Sequence, residues 1–193
     1  LCTWLNEDYK DKLDENGKYN LTMMQEKVEA MDALIDGILK YSTISSDNVE
    51  NSSVDVNEVI KEITDIIFIP EHVKIVTTST LPTLFADRTK IHQLIQNFLS
   101  NAVVHIEREE GLVEIGCEDR DTHWEFSIKD NGVGIPKEYH EKIFKIFQSV
   151  GNKERSTGIG LSIVKKIIDL YQGKVWLESE IGVGTTFFFT LKK

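Results

Sequence analysis

The sequence has few cysteines, no excess of basic residues and no long apolar run. Two cysteines in 193 residues, Cys2 and Cys117, argue against a disulfide framework or a zinc site and indicate reduced thiols. The net charge is -10, with 22 basic and 32 acidic residues, so we expect no nucleic-acid partner, since such partners need basic patches. No apolar stretch is long enough for a membrane span, and we expect a cytoplasmic chain without membrane contacts of its own.

Two common phosphate-binding motifs are also missing. Neither Gly-x-x-x-x-Gly-Lys-Ser/Thr nor Gly-x-Gly-x-x-Gly occurs, which excludes a P-loop and a dinucleotide-binding fingerprint. The glycines instead form three clusters, at 130–134, 157–161 and 182–185. Each cluster alone is a weak signal, because Gly-x-Gly is frequent in turns. Their order behind an asparagine-bearing helix predicts an ATP site of another kind.

The first 45 residues are predicted to form a helical hairpin. Apolar residues recur at alternating spacings of three and four, which is the pattern of a helical seam: Leu21, Met24, Val28, Met31, Ile35 and Ile38. We place the turn at 14–17. Since one hairpin cannot cover this seam, we expect a homodimer through a four-helix bundle. The chain begins within a helix, so we expect it to be a fragment.

The polar residues 46–53 are predicted to be a linker, and residues 54–193 a second domain. Asp55 and Asp87 are predicted helix N-caps. Alternating apolar residues predict short strands at 73–79, 84–85, 112–117 and 124–128, and a final hairpin around Gly182–Gly184. This order of strands and helices favours an α+β fold with a two-layer sandwich.

Asp130 follows a predicted strand and precedes Gly132 and Gly134. A carboxylate there can accept a hydrogen bond from the adenine amine and would repel the guanine carbonyl oxygen. Glycines allow the backbone to pass close to a flat ring. An ordinary Asp-Asn-Gly turn is the alternative explanation.

Two further groups of residues fit the phosphate end of a nucleotide. Gly158 and Gly160 lie at the start of a predicted helix, where free N–H groups bind anions. Asn97 and Asn101 lie one helical turn apart and share a face, and an amide oxygen can ligate Mg²⁺. The alternative for the asparagines is a buried polar network that satisfies nearby backbone.

Together with Phe144 and Phe147, these motifs resemble the catalytic ATP-binding domain of bacterial sensor histidine kinases, and the hairpin resembles the end of their dimerisation and phosphoacceptor domain. The resemblance implies the sandwich that these kinases share with gyrase and heat-shock ATPases, and ATP with Mg²⁺ as ligands. Asn101 is then the leading catalytic Mg²⁺ ligand, with Asn97 beside it. The nucleotide contacts that the resemblance implies are Asn97, Asn101, Asp130, Gly132, Gly134, Ile135, Thr157, Gly158, Ile159, Gly160, Leu161 and Thr185.

The implied reaction transfers the γ-phosphoryl group of ATP to a histidine, for relay to the receiver domain of a response regulator. None of the five histidines lies in the hairpin, so we expect the acceptor upstream of Leu1. Val104 departs from the family pattern, because a basic residue is common there, and Ser156 stands where glycine is common.

Two alternatives stay open. One is a dimeric nucleotide-binding module that signals without catalysis, in keeping with Val104 and the missing histidine. The other is an ATPase of the same superfamily. Such hydrolases use a glutamate one turn before the Mg²⁺ asparagine to activate water, whereas this chain has Asn97 there. Without a base in reach, water is poorly activated.

Overall fold

A computed structural model describes residues 2–9, 12–45, 49–148, 150 and 158–193. The first part is a pair of helices, α1 (Cys2–Tyr9) and α2 (Glu15–Thr43). The side chain of Asp14 caps α2 and accepts a hydrogen bond from the Gly17 N–H at 2.7 Å. The predicted turn at 14–17 is therefore wrong: Asp14 is the N-cap, and Gly17 already lies in the first turn of α2.

The apolar seam of α2 is mostly exposed in the single chain. Leu21 is buried, but the other seam residues keep between 42% and 58% of their surface exposed. These five are Met24, Val28, Met31, Ile35 and Ile38. A solvent-facing stripe of this length is unusual for a helix that has no partner.

The second part of the chain alternates short strands and helices. Its strands are β1 (Asn51–Asp55), β2 (Val73–Thr77), β3 (Thr83–Asp87), β4 (Gly111–Arg120), β5 (His123–Asp130), β6 (Val175–Glu180) and β7 (Gly184–Lys192). Its helices are α3 (Val56–Ile66), α4 (Arg88–Val104) and α5 (Gly160–Leu170), with a short 3-10 turn at Lys137–Tyr139.

The helix starts follow local signals. Asp55 accepts a hydrogen bond from the Asn57 N–H at 2.8 Å, and Asp87 accepts from Thr89 and Lys90 at 2.9 and 3.1 Å. Both predicted N-caps are confirmed. Residues 51–53, which the sequence assigns to a linker, instead form the first part of β1.

Five strands form one sheet in the order β2-β4-β5-β7-β6. β2 runs parallel to β4, and the other neighbours are antiparallel. β1 and β3 form a separate antiparallel pair. α4 and α5 cover one face of the large sheet, so the predicted two-layer α+β sandwich is confirmed.

The core lies between the sheet and these two helices. Phe98 of α4 stacks on Phe189 of β7 with ring centroids 5.2 Å apart, and Phe189 stacks on Phe126 of β5 at 4.8 Å. All three rings are buried. Offset aromatic pairs of this kind contribute about 0.5–1.5 kcal/mol beyond their buried area. This stack fixes α4 over the central strands.

The hairpin contacts the sandwich along α5. A Cβ on Gly37 of α2 would lie 2.7 Å from Cδ1 of Ile159, so the helix approaches the start of α5 closely. The Lys166 ammonium lies 4.3 Å from the centre of the Tyr41 ring and donates a 2.6 Å hydrogen bond to the Tyr41 carbonyl. Among the described residues, no helix is sufficiently long and apolar to span a bilayer.

Candidate functional site

A cavity of about 200 Å³ opens between α4, the loop after β5, the start of α5 and strand β7. It lies at the end of the sheet where β5 finishes and β7 begins. The residues that line it are Asn101, Val104, His105, Glu107, Asp130, Val133, Gly134, Ile135, Ile143, Gln148, Val150, Gly158, Gly160, Leu161, Thr185 and Phe187.

Asp130 is the buried charge of this cavity. Its side chain is 6% exposed and accepts a hydrogen bond from the Gly132 N–H at 2.8 Å. Burial raises the pKa of the Asp130 carboxyl above its ordinary value, while backbone hydrogen bonds from Gly132 and Thr185 oppose this shift. The carboxyl group keeps acceptor capacity beyond these bonds, and a ligand that donates a proton would use it.

Glycine is required where two loops meet beside Asp130. A Cβ on Gly134 would lie 2.2 Å from the Glu180 carbonyl oxygen, and Gly134 has φ +78°. A Cβ on Gly184 would lie 2.0 Å from the Asp130 carbonyl oxygen, at φ +142°. The loop after β5 and the β6–β7 turn therefore touch backbone to backbone, and they form one wall of the cavity.

A hydroxyl pair joins this wall to the sheet. Ser179 Oγ accepts from the Ile135 N–H at 2.8 Å, lies 2.9 Å from the Gly184 carbonyl oxygen and 2.9 Å from Thr185 Oγ1. Thr185 is 4% exposed and lines the cavity. Thr185 is therefore a buried residue that lines the cavity and whose hydroxyl lies within hydrogen-bonding distance of Ser179.

The two asparagines of α4 have different surroundings. Asn101 lines the cavity, whereas Asn97 lies one turn earlier and donates a 2.7 Å hydrogen bond to the Gln93 carbonyl. A Cβ on Gly160 would lie 2.8 Å from Asn97 Oδ1. The oxygen of Asn97 thus faces the first residue of α5 rather than the cavity itself.

The start of α5 is held against the preceding loop. The Phe147 N–H donates to the Gly158 carbonyl at 2.9 Å, and both residues have left-handed backbone, with φ +64° and +68°. A Cβ on Gly158 would lie 2.8 Å from Gln148 N. This close approach leaves the N-terminal N–H groups of α5 beside the cavity.

Most of the predicted site residues come together. The structure places Asn101, Asp130, Gly134, Ile135, Gly158, Gly160, Leu161 and Thr185 around the one cavity. Three others do not line it: Asn97 faces Gly160, Gly132 packs on the His105 carbonyl with a Cβ position only 2.5 Å away, and Ile159 is buried in the core at 1% exposure. Thr157 lies outside the described residues.

Sequence reasoning missed several residues of this site. Phe187 lies two residues after Thr185, so strand alternation could have found it. Ser179 and Thr185 stand three residues before and after Gly182, the centre of the hairpin turn, and such positions pair. His105 and Glu107 follow the end of α4 and carry no comparable signal.

The fold and the cavity agree with a family comparison. Residues 86–193 match the family described as histidine kinase-, DNA gyrase B- and HSP90-like ATPases. The catalytic domain of histidine kinase ThkA is 33% identical with a TM-score of 0.63, over 75% of this chain and 96% of that one. The chain belongs to this ATPase family, and the predicted resemblance to the ATP-binding domains of histidine kinases is confirmed.

Longer relatives extend the match over the hairpin. Cyanobacterial phytochrome A of Nostoc sp. is 35% identical over 187 residues, which cover 95% of this chain and 24% of that protein. The structure of histidine kinase ThkA in complex with response regulator protein TrrA matches all of this chain and 56% of that one, with 27% identity and a TM-score of 0.69. The chain spans about a quarter of the length of the curated relatives it matches first.

Proposed function

We propose that this chain binds Mg²⁺-ATP in the cavity and transfers the γ-phosphoryl group to a histidine outside the chain, for relay to an aspartate of a response regulator. The observation that carries the proposal is the buried carboxyl of Asp130 in one cavity with Asn101 and the start of α5. These groups suit the two ends of one ligand: an acceptor for a base and donors for phosphates.

Asp130 selects the base. An ionised carboxylate only accepts hydrogen bonds, so it matches the exocyclic amine of adenine and repels the carbonyl oxygen of guanine. The two N–H groups of Gly132 and Thr185 already hold the carboxylate in place. The apolar side chains of Val133, Ile135 and Ile143 line the same cavity and give the flat ring a surface to pack on.

The phosphate end lies at α5. The helix is 11 residues long, and its first N–H groups have no partner within the helix and carry a partial positive charge. Gly158 and Gly160 have no side chain to keep a phosphate away. Val104 of α4 lines the cavity on the side opposite α5 and is uncharged. The phosphates therefore depend more on backbone N–H donors than they would if a basic side chain stood at this position.

Asn101, with Asn97 behind it, would hold the Mg²⁺. The described residues contain no group of three histidine, cysteine, aspartate or glutamate side chains that could bind a metal on its own. A site with only one or two asparagine amide oxygens fits Mg²⁺, because this ion keeps several waters and takes few protein ligands when it binds together with a nucleotide. When bound, the ion neutralises charge on the phosphates during transfer.

The assembly that we propose is a homodimer through α2 that also binds a receiver domain. Five apolar side chains of the seam face solvent in the single chain, and a second copy would cover them. A receiver partner is suggested by the ThkA complex with response regulator protein TrrA, since that chain matches both the hairpin and the sandwich of this one.

Hydrolysis of ATP by water is the less favoured alternative. Asn97 occupies the position one turn before Asn101 and already donates to the Gln93 carbonyl at 2.7 Å. An amide cannot take a proton from water. A nucleotide-binding module without catalysis stays a second alternative, and it shares the same cavity.

Calorimetry with ADP and GDP tests the nucleotide assignment. We expect the chain to bind ADP more tightly than GDP, and Asp130→Asn to weaken ADP binding about tenfold or more, because a hydrogen bond to a charged group contributes about 1.5–3 kcal/mol. Asp169→Asn, at an exposed carboxylate on α5, is the matched control. Equal affinity for both nucleotides would exclude the adenine role.

Phosphotransfer is measured separately. The chain is mixed with labelled Mg²⁺-ATP and a longer form of the protein whose own Asn101 is replaced by alanine. We expect acid-labile label on the longer form, and none on this chain. Nucleotide binding without any transfer would favour the non-catalytic module.

A further inference from the structure

We infer that Ser179 is a positioning residue for base recognition: its hydroxyl lets Thr185 act as a hydrogen-bond donor toward the ligand. The inference rests on the proposed adenine site at Asp130. It assigns a specificity role to a residue that does not itself line the cavity.

The three side chains form a row across one end of the sheet. Ser179 of β6 pairs with Thr185 of β7, and Thr185 pairs with Asp130 of β5. Cross-strand partners in register lie on the same face of a sheet. Asp130 and Thr185 are 6% and 4% exposed, so any ligand that reaches the Asp130 carboxylate also meets the Thr185 hydroxyl beside it.

Counting protons shows what Ser179 decides. A hydroxyl has one proton to donate and two lone pairs. Ser179 Oγ accepts from the Ile135 N–H, and its proton can go either to the Gly184 carbonyl oxygen or to Thr185 Oγ1, each 2.9 Å away. If Gly184 receives the proton, Thr185 must donate to Ser179 and can only accept from a ligand. If Thr185 receives it, the proton of Thr185 is free for the cavity.

Adenine distinguishes these two arrangements. Its recognition edge carries an amine, which donates, next to the ring nitrogen N1, which accepts. The carboxylate of Asp130 matches the amine, so Thr185 matches N1 only as a donor. Guanine presents the reverse order, an oxygen beside a ring N–H. The arrangement in which Ser179 donates to Thr185 therefore complements adenine and opposes guanine.

The test compares ADP with 1-deaza-ADP, in which a C–H group replaces N1, by calorimetry. We expect the unaltered chain to prefer ADP by about 3- to 10-fold, the range of one net hydrogen bond. Thr185→Val should abolish this preference. Ser179→Ala should reduce this preference toward one, with the loss confined to ADP, because the Thr185 hydroxyl loses the hydrogen bond from Ser179 that orients its proton toward the cavity. Ser179→Thr, which keeps the hydroxyl, should preserve it.

The double variant Ser179→Ala, Thr185→Val should show the same preference between ADP and 1-deaza-ADP as Thr185→Val alone, since both substitutions remove the same interaction. If Ser179→Ala weakens both nucleotides equally, Ser179 only supports the Ile135 backbone and the inference is wrong. A chain that prefers ADP to GDP but does not discriminate against 1-deaza-ADP would also overturn it, while leaving the adenine site intact. Failure to bind either adenine nucleotide would remove the proposed function together with the inference.

Discussion

Two glycines with almost the same backbone conformation provide a matched test of the cavity wall. Gly134 has φ +78° and Gly182 has φ +77°. A Cβ on Gly134 would lie 2.2 Å from the Glu180 carbonyl oxygen, whereas a Cβ on Gly182 would have no atom within 4 Å. Replacing each by alanine therefore separates backbone strain from steric overlap.

The strain is common to both variants. A left-handed conformation costs an alanine about 1–2 kcal/mol, and the reduced freedom of the unfolded chain returns about 0.4–1 kcal/mol. Gly182→Ala should thus lower the free energy of unfolding by about 1 kcal/mol. Gly134→Ala must also move the Glu180 carbonyl by about 0.8 Å to reach a 3.0 Å contact, and overpacking of this kind costs about 1–3 kcal/mol more.

Urea unfolding followed by circular dichroism measures both values, and calorimetry with ADP measures the site. We expect Gly134→Ala to be destabilised by about 2–4 kcal/mol and to bind ADP at least tenfold more weakly, because its loop forms a wall of the cavity. Gly182→Ala should bind ADP almost normally. Equal losses of stability in the two variants would refute the steric argument, and normal ADP binding by Gly134→Ala would refute its place in the site.

Four other predictions concern Asp130, the seam of α2 and Cys117. The raised pKa of Asp130 means that folding favours its protonated form, so its contribution to stability is present below pH 3.8 and is lost as the pH rises through the folded pKa. Asp130→Asn should therefore unfold at an equal or higher urea concentration than the unaltered chain at pH 7, although its ADP affinity falls. For the unaltered chain, ADP affinity measured by calorimetry should decrease on acidification, beginning above pH 3.8, and constant affinity down to that pH would contradict the carboxylate role. Met31→Lys with Ile35→Lys should abolish a dimer in sedimentation while ADP binding persists, since charges cannot be buried in the seam; a monomeric unaltered chain at high concentration would contradict the seam. Burial raises the pKa of Cys117 to about 12, so iodoacetamide should label Cys117 only after unfolding, as mapped by mass spectrometry, and rapid labelling of the folded chain would show that β4 is not buried there.

Local signals allowed much of the fold to be predicted. Asp55 and Asp87 were identifiable as helix caps because the capping hydrogen bond joins residues only two or three positions apart in the sequence. The strands of the large sheet alternate clearly, since one face is buried. β1 escaped prediction because residues 51–53 are polar, and their strand is defined by pairing with β3, more than 30 residues away.

Asp14 shows the limit of the same signals. Asp, Asn and Gly favour turns as well as helix starts, and only the hydrogen bond from the Gly17 N–H to Asp14 identifies the residue as a cap. Ile159 shows a second limit. The resemblance implies a ligand contact for this residue, but the direction of its side chain depends on how α5 packs, and the structure buries it in the core.

The candidate site could be predicted at positions where the residue type alone indicates the chemistry. Asp130, Asn101 and the glycines combine a carboxylate, an amide and permissive backbone in a specific order. Ser179 was not found, because a serine in a strand has no distinctive chemistry until its partners are known. The Ser179–Thr185 pair depends on hairpin register, and symmetry about Gly182 suggests the pair only once Gly182 is known to be the centre of the turn.

The contact of Gly37 with Ile159 implies that one substitution can have opposite effects in two settings. Glycine weakens a helix interior by about 1 kcal/mol relative to alanine, so α2 has low intrinsic helicity at Gly37, the residue that touches the start of α5. An alanine there would strengthen the helix considered by itself and would push against Ile159 where α2 is docked. The helix propensity of α2 and its packing on α5 thus favour different residues at position 37, which contacts Ile159 between Gly158 and Gly160 at the edge of the nucleotide cavity.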